Sequence, residues 1–96
     1  MLFTERIKEL RFQNRLPQRK LAAALDIDTA TYCKIEKGER RVKKEQIAVL
    51  SKMFHVETNE LLTLWLADKV TDVVSAEQRV ATEVLSIAAE NLKRIG

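Results

Sequence analysis

Three features of the 96-residue chain predict an all-α fold. It holds only two glycines and one proline, its apolar residues recur at helical spacing, and almost no stretch alternates apolar with polar residues. Six helices, each set off by a cap or a breaker, account for most of its length.

The first is expected over about residues 4–14: Phe3, Ile7, Leu10 and Phe12 fall at helical spacing, Arg6, Lys8, Glu9 and Arg11 fill the other faces, and Thr4 suits the N-cap. Pro17 suits the first position of a second helix, where its missing N–H costs nothing, and Leu21, Ala22 and Leu25 give that helix a buried stripe. Asp26-Ile27-Asp28 breaks the pattern, and the Asp28 carboxylate is placed to cap a third helix over residues 29–37. Tyr32 and Ile35 are its inward positions and Gly38 ends it, which leaves Thr29, Ala30, Cys33, Lys34 and Lys37 facing outward. A fourth helix, about residues 44–54, carries Ile47, Leu50, Met53 and Phe54 on one face; a fifth begins after Thr58 and is expected to bury Leu61, Leu62, Trp65 and Leu66. Ser75-Ala76-Glu77-Gln78 reads as a capping box that opens a sixth, running nearly to the end.

A chain of this size can bury a modest core without disulfide or metal. A single Cys and a single His exclude an internal disulfide and a zinc site, so no metal or cofactor is expected and a cytoplasmic setting is the simpler one. No window approaches a membrane span, and the first ten residues carry charges where a signal peptide has its apolar core. Charge is unevenly placed: residues 1–56 sum to +6 and residues 57–96 to −3. The basic part is the candidate for an anionic partner. The switch separates two surfaces of one compact unit rather than two independent domains, with residues 1–66 as the main domain and 67–96 as a helical extension.

Two short helices joined by a tight turn, the second opening on small polar residues, form the arrangement that lays a recognition helix in the DNA major groove. A Thr there can hydrogen-bond a base edge or touch a thymine methyl, an Ala can touch a methyl, and a Lys one turn on can reach guanine acceptors. Thr29, Ala30, Cys33 and Lys34 are therefore the candidate base contacts. Arg19, Lys37, Arg40, Arg41 and Lys43 are the candidate phosphate contacts, since the arginines after Gly38 cannot follow the helix into the groove.

On these residues the chain resembles a known family. Pro17 to Leu62, with Gln18, Leu21-Ala22, Ile27, Ile35-Glu36, Gly38 and Glu60-Leu61-Leu62 at the family's spacing, resembles the Xre/Cro-type helix-turn-helix family of phage and bacterial repressors. The resemblance implies a five-helix, lambda-repressor-like domain, here with an added C-terminal helix, that binds double-stranded DNA at a palindromic operator as a homodimer, usually to repress. It implies that Gln18 bonds a phosphate and braces the recognition helix, and that Arg11 and Glu36 form an ion pair tying the first helix to the end of the third. Charge logic agrees, because a Glu in the last turn of a recognition helix opposes both the helix dipole and DNA phosphate and needs a cation. Two family glycines are replaced, by Asp26 in the turn and by His55 after the fourth helix. Ala30 stands where the family often has a longer polar residue, so direct readout is thin, which means either low specificity or more reliance on DNA shape.

Cys33, beside Lys34 and Lys37, reads as a small residue fitted to the groove in preference to a redox trigger, and His55 as a helix terminator in preference to a ligand. Trp65 belongs to the core or to a dimer seam. No phosphate loop, nucleophile–base pair or carboxylate pair supports catalysis, so no enzyme is expected.

The last helix carries an apolar stripe too broad for leaning on five others. Val80, Val84, Ile87 and Leu92 are the candidate dimer interface, and the series Val70, Glu77, Val84, Asn91 with Val73, Val80, Ile87 fits a heptad, which Glu77 weakens. The family resemblance also includes antitoxins and restriction-modification controllers, which makes a toxin or a restriction-modification protein the alternative occupant of that stripe.

Overall fold

The computed structural model describes residues 1–96 and contains six helices: α1 (Leu2–Gln13), α2 (Gln18–Ala24), α3 (Thr29–Glu36), α4 (Lys44–Phe54), α5 (Thr58–Ser75) and α6 (Gln78–Ile95). The all-α expectation holds, and α4 occupies the expected residues. Pro17 lies one position earlier than expected, at the N-cap of α2, with an extended backbone. Asp28 caps α3 as expected, its Oδ1 accepting a 2.6 Å hydrogen bond from the Thr31 N–H.

Helix α1 starts two residues before the expected cap. Thr4 lies inside the helix and its hydroxyl donates to the Met1 carbonyl. The cap comes instead from the far end of the chain: Asp68 of α5 accepts from the backbone N–H of Leu2 at 3.1 Å and of Phe3 at 2.9 Å. Two of the orphan donors at the α1 N-terminus are thereby satisfied by one buried carboxylate. A side chain 66 positions away in sequence does the work of the local cap.

Helices α1 to α4 all end in the same way. Each is followed by a residue in the left-handed region, Arg15 (φ 55°), Asp26 (φ 58°), Gly38 (φ 80°) and His55 (φ 57°). That residue's N–H and the next one bond back to carbonyls of the last turn: Leu16 to Arg11, Ile27 to Ala22, Glu39 to Lys34 and Val56 to Ser51. This double closure absorbs carbonyls that a helix end leaves unpaired, and an apolar residue after the reversal pins it to the core. Leu16, Ile27 and Val56 do so, and after α3 the equivalent residue is Glu39 in solvent. Only one of the four positions is glycine, so three of the reversals carry side chains where a Cβ is disfavoured.

The core gathers Phe3, Ile7 and Leu10 of α1, Leu21 and Ala22 of α2, Tyr32 and Ile35 of α3, Ile47, Leu50 and Phe54 of α4, and Leu61 and Trp65 of α5. Val42 closes it from the α3–α4 loop, its carbonyl accepting from Trp65 Nε1 at 3.2 Å. Two expected core residues lie elsewhere: Phe12 is 65% exposed and Leu66 is 45% exposed, while Leu62 and Met53 are half-buried. The reason in α5 is rotation. Trp65, Asp68 and Asp72, at spacings of three and four, form its inner face toward α1 and the α3–α4 loop, and Leu66 lies a full residue's turn away.

Ser75 is the last residue of α5 and not a cap: its hydroxyl donates to the Asp72 carbonyl, and α6 begins at Gln78 without a side-chain cap bond. The break at residues 76–77 also divides the heptad series between two helices. Helix α5 runs without interruption through residues 66 and 67, and α6 packs against α5 alone to any extent and buries none of its residues. The molecule is correspondingly long, 41 × 28 × 22 Å, with a radius of gyration of 15.4 Å where a sphere-like chain of this length has about 12.5 Å. No helix is long and apolar enough to cross a membrane.

Candidate nucleic-acid interface

Helices α2 and α3 pack closely across the four-residue turn from Leu25 to Asp28, and the outer face of α3 is what they present. Tyr32, Ile35 and Glu36 turn inward, which leaves Thr29, Ala30, Lys34 and Lys37 exposed and Cys33 half-exposed. The first turn of that face is made of short side chains, so backbone and base edges can approach closely. Arg19, Arg40, Arg41 and Lys43 are exposed around it, as are Lys20 and Lys44. The Asp28 carboxylate sits at the front of α3, where the hydrogen bond from Thr31, aided by Lys34 and Arg40 nearby, holds it below the usual carboxylate range.

The aim of α3 is set from behind. Arg11 Nε donates to Glu36 Oε2 at 2.7 Å and its Nη2 to Oε1 at 3.0 Å, a fork-on-fork pair, while Nη1 donates to the Leu16 carbonyl at 3.1 Å. Gln18 Nε2 donates to Glu36 Oε1 at 3.2 Å. One carboxylate therefore joins α1, α2 and α3. The side chains of Arg11 and Glu36 are 12% and 3% exposed, so the pair lies largely out of water. Burial by itself would raise the Glu36 carboxyl, but hydrogen bonds from Arg11 and Gln18 and the charge of Arg11 outweigh it and hold the carboxyl below its ordinary value. The Arg11 guanidinium is correspondingly held above its own, chiefly by its hydrogen bonds to Glu36. The Tyr32 hydroxyl is buried beside the same carboxylate without meeting a hydrogen-bond partner, and its phenol is pushed up, first by burial and then by Glu36. Glu36 accepts only one of the two Gln18 amide N–H groups, and the other remains available to an acceptor.

Arg41 is the candidate contact with a competing engagement. Its guanidinium pairs with Asp72 of α5, both side chains being substantially exposed. No local motif marks Asp72 or Asp68 as functional. The spacing Trp65, Asp68, Asp72 does place two carboxylates on one face of α5, but nothing local says that this face meets the α3–α4 loop. Val80, Val84, Ile87 and Leu92 are 42–68% exposed on α6 and make no part of the core.

A bundle of short helices in which the second of a tight pair shows a small, polar and basic outer face defines a DNA-binding helix-turn-helix protein. A family model described as helix-turn-helix matches residues 7–61, more than half of the chain, and the protein belongs to that family, of the Xre-like type. It is a DNA-binding transcription regulator. No curated protein and no solved structure matches the chain.

Proposed function

We propose that the protein binds a palindromic operator as a homodimer, one α3 entering the major groove in each half-site, and that it represses the genes it controls. The observation that carries this reading is the outer face of α3: short residues at its front, Lys34 one turn on, exposed arginines and lysines alongside, and a buried carboxylate holding the helix in place. Thr29, Ala30, Cys33 and Lys34 meet bases, while Gln18, Arg19, Lys37, Arg40, Arg41 and Lys43 meet the backbone and set the register. Two copies separate their recognition helices by about 34 Å, one turn of B-DNA, which is why a protein that reads a few base pairs gains from a two-fold partner. The compact unit of residues 1–66 supplies the DNA contacts, and residues 67–96 supply the dimer.

The test is recovery of bound duplexes from random genomic fragments at two salt concentrations. A palindrome is expected, with affinity falling steeply in salt. Lys34→Ala should relax discrimination at one base pair per half-site by about 1–3 kcal/mol. Binding that is blind to sequence, or no binding, sinks the operator reading and moves attention to α6 and a partner protein such as a toxin.

A further inference from the structure

A cavity of about 280 Å³ opens between the first turn of α1, the end of α3, the α3–α4 loop and the middle of α5. Phe3, Ile35, Val42 and Trp65 give it an apolar wall, and Arg40, Arg41, Asp68 and Asp72 supply its charges. An apolar hollow with a few convergent polar groups is the usual form of a small-molecule site, and this one lies near the lower end of the ~300–1,000 Å³ that such sites span. The charges decide the sign of a ligand. Both carboxylates are already engaged: buried Asp68 accepts from the N–H groups of Leu2 and Phe3, and Asp72 accepts from Arg41. The guanidinium groups are not used up. Arg40 enters no ion pair within the chain, and Arg41 bonds Asp72 through Nη2 alone, which leaves the donors on its Nε and Nη1. Lys69 adds a third cation, its Nζ 3.8 Å from the centre of the Trp65 ring. What the cavity has left to offer is an apolar wall and N–H donors in the fork geometry that suits a carboxylate.

We infer that this cavity binds a small carboxylic acid with an aromatic or aliphatic body, the body against Phe3 and Trp65 and the carboxylate on Arg40 and Arg41, and that the bound acid competes with DNA. The two arginines are the link. They line the cavity and are also the proposed phosphate contacts that follow the recognition helix, whose last turn and stop, Ile35 and Gly38, belong to the same wall. An acid that holds the guanidinium groups withdraws them from phosphate and sets a negative charge beside the duplex, so binding of the one opposes binding of the other. The site goes beyond the operator reading and needs only that Arg40 and Arg41 meet phosphate, whatever the sequence of the duplex.

Trp65 is the chain's single tryptophan and lines the cavity, so its fluorescence reports occupancy in the full-length protein. The probe is sodium phenylacetate, exchanged for sodium chloride at constant ionic strength. Sodium acetate, which lacks the ring, and phenethylammonium chloride, which reverses the charge, are the controls. For an acid of about ten non-hydrogen atoms a saturable change with Kd about 1 mM is expected, and none from either control. Arg40→Met deletes a guanidinium at an exposed position, so it should leave far-ultraviolet circular dichroism unchanged and weaken phenylacetate binding about ten-fold. Fluorescence anisotropy of a labelled duplex of arbitrary sequence at low salt reads the competition: saturating phenylacetate should weaken DNA binding about three- to ten-fold and lower the salt dependence by one to two phosphate contacts. Any duplex offers phosphates, so failure to recover a palindrome discards the operator reading and leaves this inference standing. A Trp65 signal that does not saturate, phenethylammonium binding as tightly as phenylacetate, Arg40→Met binding the acid like the wild type, or a duplex affinity indifferent to the acid overturns it.

Discussion

Arg11→Met isolates what the buried ion pair contributes. The substitution keeps the aliphatic stem and deletes three hydrogen bonds, two to Glu36 and one to the Leu16 carbonyl. Glu36 is left in a site where its side chain is 3% exposed, with Gln18 as its remaining donor. Removing one partner of a buried pair costs about 3–5 kcal/mol, because the other charge stays desolvated. The lower end, about 3 kcal/mol, fits here, since Arg11 touches solvent and Gln18 remains; it corresponds to roughly 12–24 °C in melting temperature for a domain of this size. The pH dependence gives a sharper check. In the wild type the Glu36 carboxyl is held below its ordinary value of 4.5, so its stabilisation is complete above that pH and is lost as pH falls through the lower folded value. In the variant, burial dominates and the folded value rises above the unfolded one. Its penalty is then relieved by protonation, so the gap between variant and wild type narrows as pH drops from 7 toward 5. Urea titrations of both proteins across that range measure it. A loss under about 1 kcal/mol, or a gap that does not change with pH, would refute the view that Glu36 is a charged brace rather than a packed side chain.

Further outcomes follow from the same contacts. Asp72→Asn frees Arg41 and removes an anion near phosphate, so DNA affinity at low salt should rise by up to about five-fold and the salt dependence should steepen by about one phosphate contact, with stability nearly unchanged; weaker binding in anisotropy titrations would mean that Asp72 instead positions Arg41. Asp68→Ala uncaps α1 and should cost about 1–2 kcal/mol in urea unfolding, a long-range effect that a contact-free surface carboxylate would not show. His55→Gly relieves a Cβ at φ 57° and, after the greater unfolded-state entropy of glycine, should stabilise by about 0.5–1 kcal/mol; a destabilised variant would show that the His55 side chain contributes more than its backbone costs.

The short-range content of the chain is legible in its sequence. Helical spacing, Asp28 ahead of α3 and Gly38 after it place the helix-turn-helix and name the outward face, because a cap or a reversal is decided by residues within one turn of each other. Arg11 and Glu36 follow from the family resemblance and from charge logic, and the structure supplies the distances that make them one network with Gln18. Less is legible where non-glycine residues take the left-handed conformation. Arg15 carries no mark of it, since the bonds that close that reversal offset a strain which the residue type does not advertise.

What only the tertiary structure decided are the relations between ends of the chain. The cap of α1 by Asp68, the pairing of Arg41 with Asp72 and the rotation that turns Leu66 outward all depend on how α5 lies against α1 and the α3–α4 loop. Composition and period announce that α5 and α6 are amphipathic, but an apolar stripe looks the same in sequence whether it faces its own core or another molecule. The stripe of α6 is left uncovered because five helices already close the core, and that is a property of the assembled volume, not of any segment within it.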